Sequence, residues 1–196
     1  MKKGLRITFN APLVLCFALL CTAATLLGEL TGESSTANLF CTYRAPLSDP
    51  MTYLRLFTHV IGHAGFIHLL NNMAYILLLG PMLEEKYGSA QLALVMLITA
   101  AVTGVIHMLF FAPNVHLLGA SGIVFALILL SSITSVQERT IPVTFLLVAV
   151  LYIGQQIYQG VTAGGSVSYL THILGGAVGS ALGFLMNRRG QTYRKR

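Results

Sequence analysis

Four polar side chains stand where the rest of the chain is apolar: Ser121, His172, His68 and Asn72. Ser121 lies in Leu118-Gly119-Ala120-Ser121-Gly122, at the start of an apolar run. A nucleophilic serine needs small neighbours that leave Oγ open, and Gly119 and Gly122 provide them. It also needs backbone N–H groups at a helix start, which are free to hold an oxyanion. An N-cap between loop and helix would account for the same residues more plainly. His172 follows Thr171 and precedes Gly175, Gly179 and Gly183, glycines four apart that make a smooth helix face for close packing. It is either a buried structural histidine or the base beside Ser121. His68 and Asn72 are also four apart, hence one turn apart on one helix face. They suit a hydrogen-bond clamp between helices, or two donors aimed at a reacting group. A serine, a histidine and two donors are the parts needed for acyl transfer.

The elements that must position them are membrane spans. The chain has 196 residues, 55% hydrophobic and 9% charged, with a mean hydropathy of +0.76. Soluble domains carry about a quarter charged residues, so this composition is built for lipid. About 20 apolar residues cross a bilayer as a helix. Six such runs are expected, near 10–30, 66–83, 90–111, 119–136, 141–159 and 168–187. The fold class is therefore an all-α membrane bundle of six helices in a single domain, 1–196. Short tails fall at 1–9 and 188–196, and one long loop at 31–65. The partly apolar stretch 51–61 predicts short helices lying at the membrane interface. A basic start (Lys2, Lys3, Arg6) and small residues at 21–24 also fit a cleaved signal segment. The apolar run continues through Leu26, Leu27 and Leu30, which favours a retained span.

Charge orients the bundle. Lys2, Lys3, Arg6, Lys86, Arg139, Arg188, Arg189, Arg194, Lys195 and Arg196 share one side, against Arg44 and Arg55 on the other. Both termini are thus expected to be cytoplasmic. The net charge of +6 forms no basic stripe with interleaved aromatics, so nucleic acid is not an expected partner. Cys16, Cys21 and Cys41 make no CxxC pair, and there is no HExxH. His59 and His63 have no carboxylates nearby in sequence to complete a metal site, so no metal or cofactor is expected. His107 and His116 read as interfacial or structural.

In this setting the sequence resembles the rhomboid intramembrane proteases from about Arg55 to Gly183. Gly119-Ala120-Ser121-Gly122 is similar to the family's GxSG motif, and His172-Ile173-Leu174-Gly175 with Gly179 to HxxGxxxG. His68-Leu69-Leu70-Asn71-Asn72 is similar to HxxxN, and Glu84 to Gly88 to ExRxG. The resemblance implies a six-helix bundle in which Ser121 is the nucleophile and His172 the base. His68, Asn72 and the Ser121 N–H would stabilise the oxyanion, with Gly119, Gly122, Phe125, Gly175 and Gly179 in support. It implies transmembrane protein substrates entering sideways from the lipid bilayer, past the fifth span and the loop 160–167. It also implies a bacterial inner-membrane location. The sequence sets no oligomeric state. It departs from the family pattern at Leu54-Arg55 where Trp-Arg is common, at Lys86 for Arg, and at Phe125 for Tyr. A rhomboid-like protein that binds helices without cutting them is the alternative, and intact Ser121 and His172 weigh against it. A transporter would need polar groups across the whole bilayer depth, whereas the inner halves of these spans are apolar.

Overall fold

The computed structural model describes residues 9–133, 143–162 and 166–194. Its elements are α1 (Pro12–Leu30), α2 (Ser34–Leu39), α3 (Pro50–Thr58), α4 (Phe66–Tyr87), α5 (Ser89–Phe110), α6 (Ser121–Ile133), α7 (Val143–Thr162) and α8 (Ser166–Arg194). Among the described residues there is no strand, only an isolated antiparallel bridge between Thr42 and Leu117. The chain is therefore a helical bundle. Four described helices are long and apolar enough to cross a bilayer: α1, α4, α5 and the stretch Tyr169–Met186 of α8. The shorter apolar helix α6 and the 20-residue α7 fall at the fourth and fifth expected runs. The expected connection 137–140 and the end of the run 119–136 lie outside the described residues, as do residues 1–8 of the first tail, 195–196 of the second and part of the loop 160–167.

Several boundaries differ from the hydropathy reading. Helix α4 runs to Tyr87 rather than 83 and carries Pro81 inside it. Its extra turn carries Glu84, whose carboxylate has a structural task. Oε1 accepts from the Leu13 N–H at 2.9 Å and Oε2 from the Val14 N–H at 3.0 Å. Ser89 Oγ donates to the same carboxylate at 2.7 Å. The free N–H groups at the start of α1 are thereby satisfied, a favourable place for negative charge. The pair α1–α4 closes at Gly80, where a Cβ would lie 2.7 Å from a Val14 methyl carbon. Ile76, Leu83, Leu92, Ile123, Leu127 and Leu130, all at most 1% exposed, fill the centre between α4, α5 and α6.

The loop 31–65 holds two short helices, as expected, but α3 packs inward against α5 rather than merely resting at an interface. Gly104 of α5 permits this, since a Cβ there would sit 3.0 Å from the Leu56 carbonyl oxygen. Asp49 caps α3 by accepting from the Met51 N–H at 2.9 Å. Its other oxygen pairs with buried Arg55 at 3.3 Å. Arg55 Nε donates to the Asn38 carbonyl at 2.8 Å, and its guanidinium lies 4.9 Å from the Tyr43 ring centroid. One buried arginine thus ties α2, α3 and the segment between them. A buried cation is tolerated because its donors are engaged.

Helices α6 and α8 form the most extensive helix pair. The glycine stripe explains it. A Cβ on Gly175 would meet the Gly122 carbonyl oxygen at 2.1 Å, and one on Gly179 the Ala126 carbonyl oxygen at 2.3 Å. Such distances allow no side chain, so the two backbones touch over two turns.

Candidate functional site

Gly119 opens the site. Its φ of +116° is a region that L side chains rarely adopt. A Cβ there would also lie 2.6 Å from His68 Cε1 and 2.8 Å from Nε2. Conformation and space both demand glycine. The Gly119 N–H donates to the His59 carbonyl at 2.9 Å. Two residues earlier, Leu117 exchanges both backbone hydrogen bonds with Thr42, each 2.9 Å. The segment before Ser121 is therefore held by the 31–65 loop on two sides. Ser121 is the first residue of α6 and is half-buried, beside buried Ala120 and Gly122. The N–H groups of a helix's first turn have no intrahelical acceptor and point toward whatever binds there.

His172 lies on α8, one turn before Gly175, while Ser121 adjoins Gly122 on α6. Because Gly122 and Gly175 are in backbone contact, the serine and the histidine occupy adjoining turns of touching helices. Next to His172, the Thr171 carbonyl oxygen comes within 3.7 Å of the point a Gly122 Cβ would occupy. The Phe125 ring covers the imidazole, with centroids 4.5 Å apart and planes inclined at 40°. This is the contact that its spacing from Ser121 predicts.

His68 and Asn72 face Gly119 from α4. His68 Nδ1 accepts from the Ala64 N–H at 3.3 Å. A neutral ring that accepts through Nδ1 carries its proton on Nε2, the nitrogen beside Gly119. His68 is thus a donor toward the Ser121 segment. Asn72 is 5% exposed. Its Nδ2 donates to the His68 carbonyl at 3.2 Å and lies 3.8 Å from the Gly119 Cβ point, which leaves its second N–H available. The four polar residues singled out in sequence therefore gather around Gly119 and Gly122, from three helices. The carboxylates of Asp49 and Glu84 are engaged elsewhere, with Arg55 and the start of α1.

Two histidines belong to this neighbourhood that the sequence pattern presented only as failed metal ligands. His59, 1% exposed, supplies the carbonyl that holds Gly119. Its Nδ1 bonds to the Arg55 carbonyl at 3.1 Å, and its Nε2 lies 3.4 Å from Thr103 Oγ1. His63, also 1% exposed, donates through Nδ1 to the Ile61 carbonyl at 3.1 Å and meets the His68 ring edge-on at 5.1 Å. Burial pushes both imidazoles down to about 4, aided at His63 by the neighbouring His68. Both are neutral at physiological pH. Their spacing of four, continued one residue late by His68, was the available signal. His107 is buried and structural, with Nε2 on the Val115 carbonyl at 2.9 Å. His116 is exposed and stacks on Tyr43 at 5.1 Å.

Comparison with known proteins places the family. The Rhomboid domain family matches residues 50–189, which include all four polar residues and every supporting glycine. A curated relative, RHOMBOID-like protein 4 of Arabidopsis thaliana, is 32% identical over 131 residues, which cover 63% of this chain and 32% of the relative. The chain spans about a third of the length of that relative. With the family matched over well more than half of its residues, the chain belongs to the rhomboid family.

Proposed function

We propose that this protein is an intramembrane serine endopeptidase that cuts transmembrane or juxtamembrane segments of other membrane proteins through a Ser121–His172 dyad. The observation that carries the reading is the α6–α8 backbone contact at Gly122 and Gly175, which brings the serine and the Phe125-covered histidine to adjoining turns. His172 takes the proton of Ser121 Oγ as the oxygen attacks a peptide carbonyl. The oxyanion forms beside the Ser121 N–H, the His68 Nε2–H and the Asn72 amide, all of them preset before the charge develops. His172 returns its proton to the leaving amine, and the acyl-enzyme remains on Ser121. Water, deprotonated by His172, then releases the carboxylate and restores the serine. No carboxylate orients the imidazole in this reading; hydrogen bonding and the packing of the Phe125 ring do so. Family membership adds to the case, and so does the tautomer that the Ala64 N–H imposes on His68.

In this reading six spans place both termini on the Lys/Arg-rich cytoplasmic side, and the site opens near the opposite face of the membrane. Substrates are single-span helices with a locally unstable segment, because a stable helix hides its carbonyls.

The test is labelling of membranes with a tagged fluorophosphonate and location of the adduct by mass spectrometry. An adduct at Ser121, lost in both Ser121→Ala and His172→Ala, is expected. A folded, inserted protein that takes no label would instead favour a rhomboid that binds helices without cutting them.

A further inference from the structure

A cavity of about 300 Å³ lies between α1, the end of α3, α5 and α6, away from the Ser121 site. Leu13, Phe17, Phe57, Met96, Ala100 and Ile123 are among its walls, and every lining residue is apolar. It is partly open. Two of its lining residues reach the surface, Leu97 at 53% and Phe57 at 45% exposed, and Leu94 of α5 is 53% exposed as well. In a membrane-embedded bundle that flank meets hydrocarbon. The lining along α5 runs from Ala93 to Ala100, a rise of about 10 Å. The α5 wall of the cavity therefore follows the helix axis, the direction in which lipid tails run.

We propose that this cavity is a binding site for one acyl chain of a membrane phospholipid. Water has no polar partner in it and does not fill it. Hydrocarbon gains little from burial alone inside a bilayer. Bare walls, however, forfeit their dispersion contacts, and a tail at the mouth restores them. The inference is independent of the reaction proposed above. Its consequence reaches the site all the same. Ile123 lies two residues past Ser121, and Val60 follows His59, whose carbonyl holds Gly119. A seated chain backs both segments from the lipid side.

The test uses the full chain in phosphatidylcholine vesicles, a fraction of whose lipid carries a photoactivatable diazirine midway along one acyl chain. Irradiation and peptide mapping read where tails reach. Met96 lines the cavity and is only 6% exposed, so a tail touches it only from inside the cavity. Adducts at Met96 are expected. Ala93→Phe, which fills the cavity from its half-buried rim, is expected to reduce them several-fold. Labelling of Leu78, 72% exposed on α4, should stay unchanged and serves as the control for insertion. Ala93→Leu, a smaller filler, should act in the same direction with less risk to folding. Adducts confined to Leu78, Leu97 and other exposed residues would overturn the proposal, the result a protein segment covering that flank would also give. Undiminished labelling of Met96 in both variants would overturn it as well.

Discussion

The site has two halves, and they are built on opposite principles. On the α6–α8 side, position is set by what is missing: Gly175 and Gly179 remove side chains so that backbones touch, and Ser121 and His172 follow from that contact. On the α4 and loop side, position is set by polar groups that are present and buried. His59, His63, His68 and Asn72 are each fixed by backbone hydrogen bonds, and through them the Gly119 turn is held. Small-residue packing gives an all-or-none register, because a backbone that meets a backbone cannot be adjusted by rotamers. A polar scaffold tolerates loss of a member in steps, each costing its own hydrogen bond. In the proposed reaction the first half carries the reacting groups and the second tunes them.

The largest effect should separate the halves at once. Ser121→Ala and His172→Ala are each expected to lower kcat by about 10⁴-fold or more, and the double variant to be no worse than either single one. Single-turnover cleavage of a tagged transmembrane substrate in vesicles measures this. Additive losses would mean that the two residues do not act as one unit. On the other half, His68→Ala and Asn72→Ala should each cost about 10²–10³ in kcat with KM little changed, the range of a lost oxyanion donor. A drop as deep as that of Ser121→Ala would erase the distinction between reacting and tuning groups.

The next test addresses packing. Gly175→Ala puts a methyl against the Gly122 carbonyl oxygen, so α8 must move away from α6. Thermal unfolding in micelles should fall by more than the ~1–3 kcal/mol of ordinary overpacking, since backbone has to shift. Gly122→Ala is the contrast on the facing helix. Its methyl would have no heavy atom closer than 3.5 Å, from Thr103 Cγ2, and stability should stay near that of the parent. Equal losses at the two positions would argue that glycine flexibility, rather than closeness, matters in this seam.

The same asymmetry decides what could be read from the chain. The seam half is written in short range: a GxSG-like start, a histidine, then glycines at a spacing of four. Helical periodicity turns those letters directly into one face. The helical class followed from runs of apolar residues, whose ends then shifted by a few residues. Glu84 extended α4 because its carboxylate found the start of α1, a partner 70 residues away that hydropathy does not see. The loop half was legible only in part. His68 and Asn72 stood out as polar residues in an apolar helix. His59 did not, because it acts through a backbone carbonyl, which every residue has. The Thr42–Leu117 bridge is likewise independent of side-chain identity. Arg55 read only as an outer-side charge and as the arginine of a family pair, with no sign of the Asn38, Asp49 and Tyr43 that gather round it.

A smaller effect comes from pH and can be read in the loop half. His59 and His63 are held at about 4 by burial, against about 6.5 in an unfolded chain. Below pH 6.5 the unfolded chain binds protons that the folded one refuses, so stability is full above that pH and falls steadily toward pH 4. Unfolding midpoints measured across this range should decline. His59→Gln, whose side chain does not titrate, should flatten the slope. A slope unchanged in His59→Gln would remove His59 as a source of the dependence.

The smallest effect tests whether packing alone is enough to orient the base. Phe125 covers His172 from one turn beyond Ser121, with ring centroids 4.5 Å apart. It can press on the imidazole but offers it no hydrogen bond. An aromatic pair contributes about 0.5–1.5 kcal/mol beyond its burial, so Phe125→Leu, which keeps most of the volume, should lower kcat by no more than about tenfold. Phe125→Tyr keeps the ring and should stay close to the parent. Tyr raising kcat well above Phe would show that a hydroxyl is wanted there and that packing leaves the base under-constrained. Leu matching Phe would show the opposite, that the α6–α8 contact already fixes His172 and the ring adds nothing. Only a loss in Leu that Tyr does not share assigns a share of the orientation of His172 to the aromatic face, and with it makes Phe125 part of the seam half.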